Sequence, residues 1–361
     1  MRAAVYHGPR DIRIEEVPRP DPSPGELVLR VHGNGICGTD AAEFTVPQMY
    51  PLHYEHPLTH HHGPMVPGHE FAGHVARIGD DVEGFTEGEL AVTGAALWCG
   101  ECGQCRAGRT SICAKYGTIG LHRDGALAEY VRVPAHIVVR AEPFGLQPDA
   151  AVLTQPMAIA VHAVRRGRPR ANENVLVIGA GGIGAFLTYA LAQSGAAVVA
   201  VDVAPERLEI ARRLGAVETI AVSERRALAA ELARLGFIPT LVYEVTGTDA
   251  GLVSAIAAAD PGGRIVTVGI AKHPVQLDAR RVTVKELEII GTNALIGAED
   301  VPEAARLLSL DQTAWNDVAP IAIPLERLVA DGIEPMLAGR ATRIKTIVDP
   351  WAASTRPTKM S

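Results

Sequence analysis

One stretch near the middle of this 361-residue chain restricts its fold more than any other. Val175-Leu176-Val177-Ile178 is a buried-type apolar run, and it leads directly into Gly179-Ala180-Gly181-Gly182-Ile183-Gly184. A helical pattern over residues 183–194 follows, stopped by Gly195. Strand, glycine turn and helix in that order open a doubly wound parallel sheet. Gly179 permits the tight turn, Gly181 lets the backbone approach a pyrophosphate, and Gly184 lets the helix pack close to the sheet. The helix N-terminus adds N–H donors and a positive dipole end. Asp202 closes the next strand, where a carboxylate accepts hydrogen bonds from adenosine ribose hydroxyls and repels a 2′-phosphate. The expectation is therefore NAD, not NADP. A glycine turn with no cofactor is the alternative, and the strand and helix around it weigh against that. The candidate cofactor residues are Gly179, Gly181, Gly182, Ile183, Gly184, Asp202 and Arg207, with Val245, Val268 and Gly269 beyond later strands.

The texture of the chain changes near Gln155. After it, strand patterns at 174–178, 197–202, 217–221, 240–245, 264–269 and 287–291 alternate with helical ones such as 205–214 and 249–259. Before it, short Val- and Ile-rich runs at 2–6, 11–17, 26–32, 71–78, 89–93 and 126–133 are separated by Pro and Gly turns. That spacing suggests a small barrel or sandwich. A helix over 298–308, a strand over 342–348 and a frayed polar tail from Ala352 complete the expectation. The net charge of −7 argues against nucleic acid or an anionic membrane as partner. No apolar run has the length of a membrane span, and the first residues lack a signal-peptide core, so the expected location is cytoplasmic.

Four of the five cysteines lie within fifteen residues, as Cys99, Cys102, Cys105 and Cys113. This spacing lets four thiolates converge on one tetrahedral zinc with no open position, a structural site. Two disulfides or four unrelated thiols are the alternatives. The fifth, Cys37, stands in Gly35-Ile36-Cys37-Gly38-Thr39-Asp40, and Gly68-His69-Glu70 lies downstream. A thiolate, an imidazole and a carboxylate suit zinc and leave a position for water or substrate. On spacing alone an inert Cys37 and a structural His69 remain open.

Taken together, the Cys37 and His69-Glu70 motifs, the four-cysteine lobe, Gly125-Ala126-Leu127-Ala128-Glu129-Tyr130 and the glycine fingerprint resemble the zinc-dependent medium-chain alcohol dehydrogenases. His56-Pro57-Leu58-Thr59, with Gly63-Pro64, further resembles the butanediol and polyol branch. The resemblance implies an α/β fold. A GroES-like β-barrel catalytic domain would cover 1–155 and be completed by 294–361, with a Rossmann domain, 156–293, inserted. It implies an NAD-dependent oxidation of a secondary alcohol (vicinal diol, polyol or cyclic alcohol) to a ketone, one catalytic and one structural zinc per chain, and a homodimer or homotetramer. Cys37 and His69 would hold the catalytic zinc, Glu70 would be a direct or exchangeable ligand, and Thr39 would take the substrate proton.

Two positions depart from that pattern. Gln155 stands where the family usually places glutamate near the zinc, which removes one negative charge. Ala42 stands where many butanediol-type relatives place a relay histidine, so water, Glu43 or a histidine of loop 45–68 would carry the proton outward. That loop holds His53, His56, His60, His61 and His62. His56 is its best functional candidate, and a solvated loop is the alternative. These departures motivate a second reading, a non-catalytic protein that binds zinc and NAD(H) as a redox sensor or scaffold.

Overall fold

The structure is a computed structural model and describes residues 1–222 and 225–360. Its contacts divide the chain into two units, Met1–Ala158 with Ala294–Ser361, and Ile159–Asn293.

In the first unit, β1 (Arg2–Gly8) and β2 (Asp11–Glu16) form an antiparallel hairpin. Next comes β3 (Glu26–Gly35), then α1 (Gly38–Thr45). Strands β4 (Glu70–Ile78) and β5 (Leu90–Thr93) follow, each antiparallel to the one before. The short strands β6 (Ala96–Leu97) and β7 (Gly117–Thr118) pair across the cysteine lobe, which contains α2 (Gly103–Arg106). Then β8 (Tyr130–Pro134) joins β3, and β9 (Val138–Arg140) joins β5. Leu27, Leu29 and Val31 alternate along β3 and meet Phe71 and Val75 of β4 in one core. This is the two-residue period of a strand put to use. A second core gathers Tyr6, Ile36, Phe44 and Leu127. The chain continues through α3 (Pro148–Ala151) into α4 (Thr154–Gly167), which begins in one unit and ends in the other.

The second unit runs β10 (Asn174–Ile178), α5 (Gly182–Gln193), β11 (Ala197–Asp202), α6 (Pro205–Arg213), β12 (Glu218–Ala221), α7 (Arg225–Leu235) and β13 (Leu241–Glu244). It closes with α8 (Asp249–Ala258), β14 (Arg264–Thr267), α9 (Ala279–Val284) and β15 (Glu288–Gly291). All six strands are parallel in the order β12-β11-β10-β13-β14-β15. The order reverses between β10 and β13, the place where such sheets bind ligands. Val175, Leu176 and Val177 are wholly buried, as parallel strands covered on both faces require.

The remainder returns to the first unit. After α10 (Gly297–Leu310) come β16 (Ile321–Pro324), β17 (Ile347–Asp349) and β18 (Arg356–Pro357). They extend the sheet in the order β18-β16-β17-β3-β4-β5-β9, with β8 also on β3.

Two expectations are corrected here. The strand expected over 342–348 is regular only from Ile347, because the chain before it bends to bury Lys345 and bonds the Lys345 amide to the Val318 carbonyl. The tail is not frayed. Arg356 bridges Asp149 and Asp349, the Lys359 amide donates to Asp149, and Met360 is buried.

Candidate active site and metal centres

The register of three neighbouring strands builds the site. Gly35, the last residue of β3, pairs with Glu70, the first of β4. On its other side Gly35 pairs with Ile347 of β17. Two residues beyond Gly35 lies Cys37, one residue before Glu70 lies His69, and two residues before Ile347 lies Lys345. Strand pairing thus delivers residues from three distant parts of the sequence to one edge. Among the described residues, Cys37, His69 and Glu70 each offer a ligand atom within 4.8 Å of the others. Cys37 caps α1, and its amide donates to Asp40 Oδ2 at 2.8 Å. Thr39, half-buried in the first turn of α1, follows two residues later.

The donor set fits a divalent cation. His69, Glu70, Asp40 and Lys345 are all buried. Asp40 Oδ1 lies 3.5 Å from His69 Nδ1, and neither atom has another partner. With Nδ1 turned to that carboxylate, Nε2 is left for a metal, the usual arrangement of a carboxylate orienting a ligating imidazole. Burial alone would lower the His69 pKa, but Asp40 and Cys37 outweigh it and push it well above its ordinary value. The pocket therefore favours positive charge at this point. Three acidic groups share it with a single ammonium, and a divalent ion balances them. Neither Asp40 nor Lys345 was foreseen as part of the site. Asp40 had a signal, since a carboxylate three residues after a helix cap bonds back to it. Lys345 had none.

The other expected residues are placed as follows. Gln155 lies buried in the first turn of α4. His56 is also buried, and it is not among the three clustered ligands. Its Nδ1 accepts from the Leu58 and Thr59 amides at 3.3 and 3.2 Å, and its Nε2 meets the Tyr116 carbonyl at 3.1 Å. Both nitrogens hold loop backbone, and its ring packs 4.5 Å from that of His122. Glu43 is similarly committed: its carboxylate accepts from the amides of Gln48, Met49 and Tyr50. These bonds leave it a loop clamp in place of the proton exit considered for it. Ala42 is exposed. Loop 45–68 is anchored by buried Tyr50, Leu52, Met65 and Val66, while His53, His60 and His62 face solvent.

In the cysteine lobe no pair is disulfide-bonded. All four sulfurs lie within 4.8 Å of one another, with Cys99 to Cys113 at 3.4 Å and Cys99 to Cys105 at 4.0 Å. A tetrahedral zinc with bonds of about 2.3 Å sets its sulfurs about 3.8 Å apart, so the lobe has the right size. Backbone amides donate to sulfur, Lys115 N to Cys113 at 3.3 Å and Cys105 N to Cys102 at 3.5 Å. Such donors favour thiolates. The Ala114 and Cys105 amides pull the Cys102 thiol down to about 6, while burial and the neighbouring sulfurs push the Cys105 thiol up.

At the nucleotide end, Gly179 adopts φ +102°, the left-handed region glycine favours. A Cβ on Gly184 would lie 1.8 Å from the Gly179 carbonyl, so no side chain fits there. Gly181 caps α5, and Gly182 and Ile183 form its first turn. Asp202 ends β11, accepting from the Ala180 amide at 2.8 Å and the Ala204 amide at 3.0 Å, with Arg207 at 3.8 Å. Val245 follows β13 and Val268 and Gly269 follow β14. The two turns press together, since a Cβ on Gly269 would lie 2.0 Å from the Gly247 nitrogen. A nucleotide fits this open-ended glycine turn.

Comparison with known proteins agrees with this geometry. Residues 23–143 match the alcohol dehydrogenase GroES-like domain, and 182–309 match the zinc-binding dehydrogenase domain. The (R,R)-butanediol dehydrogenase of Bacillus subtilis is 30% identical over 97% of this chain and 100% of its own length. The chain belongs to the zinc-dependent alcohol dehydrogenase family. An L-threonine 3-dehydrogenase of Saccharopolyspora erythraea is 33% identical, covering 95% of this alcohol dehydrogenase and 98% of the relative. The solved structure of RspB from Escherichia coli CFT073, complexed with NADH, superposes with a TM-score of 0.86 at 28% identity, over 97% of this chain and 99% of that one. This alcohol dehydrogenase is an oxidoreductase that works with zinc and a nicotinamide dinucleotide on an alcohol or its carbonyl product. Among the described residues, none of its helices is long and apolar enough to cross a membrane.

Proposed function

We propose that this enzyme oxidises a secondary alcohol flanked by a second polar group, a vicinal diol or polyol, with NAD as acceptor. The observation that carries the reading is the convergence of Cys37, His69 and Glu70 within 4.8 Å, with buried Asp40 behind the imidazole. Support for the substrate class comes from the relatives, whose names specify butanediol and threonine. When bound, zinc supplies the Lewis acidity that makes a hydroxyl easier to deprotonate, and NAD supplies the hydride acceptor.

The remaining roles belong to the chain. Cys37, His69 and Glu70 hold the catalytic zinc, and Asp40 fixes the imidazole's tautomer and direction. Thr39 accepts the substrate proton and passes it to water, since Glu43 and His56 are committed to backbone. Gln155, neutral where a carboxylate would add charge, keeps the site more electrophilic. Asp202 accepts the adenosine ribose hydroxyls and disfavours a 2′-phosphate, and the α5 N-terminus receives the pyrophosphate. Cys99, Cys102, Cys105 and Cys113 hold a second, structural zinc. The protein works in the cytoplasm as a homodimer or homotetramer. The non-catalytic sensor reading is disfavoured, because the relatives above are dehydrogenases by name over nearly full length.

The test is a screen of vicinal diols, polyols and cyclic alcohols with NAD and NADP, read by absorbance of the reduced cofactor. Turnover on diols with NAD is expected, and Cys37→Ser should lose one zinc per chain and nearly all turnover. A Cys37→Ser protein with full zinc content and full rate would overturn the mechanism.

A further inference from the structure

The Glu70 carboxylate has a partner that none of the roles above uses. Lys345 Nζ donates to both of its oxygens, at 2.5 and 2.6 Å, and also reaches the Ile36 carbonyl at 3.4 Å. The side chains of Lys345 and Glu70 are 4% and 1% exposed. A lysine ammonium is among the groups least often wholly buried, and one held this way is committed to its carboxylate. The chain makes room for the pair. A Cβ on Gly35 would lie 2.6 Å from Glu70 Oε2, so glycine at 35 is what lets the carboxylate lie there.

From this geometry we infer that Lys345 is a positioning residue that governs how strongly Glu70 binds the catalytic metal. The inference rests on the assignment of Cys37, His69 and Glu70 to that metal. Glu70 has two cations to serve, and the oxygen lone pairs given to Lys345 are not given to the ion. Charge counting gives the direction. A divalent ion with Lys345 balances Cys37, Asp40 and Glu70, and neutral Gln155 preserves that balance. Removing the ammonium leaves the site one charge too negative, so the ion is held harder and Glu70 closes on it. Removing the Glu70 charge instead leaves Lys345 repelling the ion. A merely structural salt bridge behaves differently: losing either partner loosens the site in the same direction.

The experiment uses the full chain loaded with Co²⁺, comparing Lys345→Met, Glu70→Gln and the double variant with the parent. The readouts are the rate of metal release to a chelator and the visible ligand-field band, with the lobe's contribution fixed by a Cys37→Ser control. Release should slow by about tenfold in Lys345→Met, with a shifted band, because the ion gains the Glu70 lone pairs and no longer faces the ammonium charge. Glu70→Gln should release faster, and the double variant should return toward the parent rate. Faster release in both single variants, or an unchanged rate and band in Lys345→Met, overturns the inference. If Lys345→Met does not fold, the comparison of the double variant with Glu70→Gln decides: slower release in the double supports the role, and equal release overturns it. A Cys37→Ser protein with the parent's full cobalt content and an unchanged spectrum would instead overturn the metal assignment itself.

Discussion

The C-terminal tail offers the sharpest test of the fold. Asp149 is 3% exposed and accepts four hydrogen bonds. Two come from Arg356 at 2.9 Å each, one from His32 Nε2 at 2.8 Å and one from the Lys359 amide at 2.7 Å. Arg356→Ala removes the bidentate pair and leaves a buried carboxylate with two donors. Breaking a buried ion pair from one side costs about 3–5 kcal/mol. The surviving donors and the partial exposure of Arg356 place this case near the lower end, about 3 kcal/mol. At about 2–4 °C per kcal/mol for a unit of this size, the midpoint should fall by roughly 6–12 °C. Truncation before Arg356 should cost at least as much. Differential scanning calorimetry reads both.

The pH dependence adds a signature. Burial alone would raise the Asp149 carboxyl, but Arg356, His32 and the Lys359 amide together hold it far below the usual carboxylate range. A carboxyl depressed in the folded state contributes stability that is fully present at neutral pH. That contribution is lost as pH falls below about 4 toward the folded-state value. Arg356→Ala should therefore flatten the acid limb of the stability curve as well as lower it. A variant melting within about 1 °C of the parent, with the same acid slope, would refute the clamp; so small a shift is what a loose tail produces.

Three further outcomes are expected. If Gln155 stands beside the ion as proposed, Gln155→Glu should retain zinc more tightly and turn over more slowly, by about tenfold, because an added negative charge weakens the ion's electrophilicity; metal content after dialysis and kcat check it. Asp202→Ser removes a charge-assisted acceptor worth about 1.5–3 kcal/mol, so kcat/KM with NAD should drop by roughly 10–100-fold while the value with NADP holds or rises. Cys102→Ser should lose one zinc per chain and melt at lower temperature while keeping measurable turnover when cold, because the zinc proposed for the lobe supports the fold and not the reaction.

The sequence reveals the two units unevenly. Asn174–Ile178 and Ala197–Asp202 were readable to the residue, because parallel strands buried on both faces spell continuous apolar runs between glycine punctuation. The glycine turn and the cysteine lobe were readable because their chemistry is local. The active site was only half visible. Cys37 and His69 announced themselves by residue type, whereas Lys345 is an ordinary lysine until strand register brings it to Glu70. His56 and Glu43 misled for a related reason. A titratable group in or beside a polar loop reads as free, and only the folded loop shows its lone pairs spent on backbone amides. The tail read as loose because polarity signals exposure, and its ion pair with Asp149 joins residues 207 positions apart.

The placement of β17 beside β3 also fixes an order of events at the ribosome. The nucleotide unit is continuous in sequence, so it can close as soon as β15 emerges. The metal-binding unit cannot. Its central strand β3 is made early, yet its neighbour β17 and the lysine that meets Glu70 follow only after the whole nucleotide unit. Until then Cys37 and His69 stand at the edge of an incomplete sheet. Zinc that arrives before β17 is made would meet all four lobe cysteines but only part of the active-site edge.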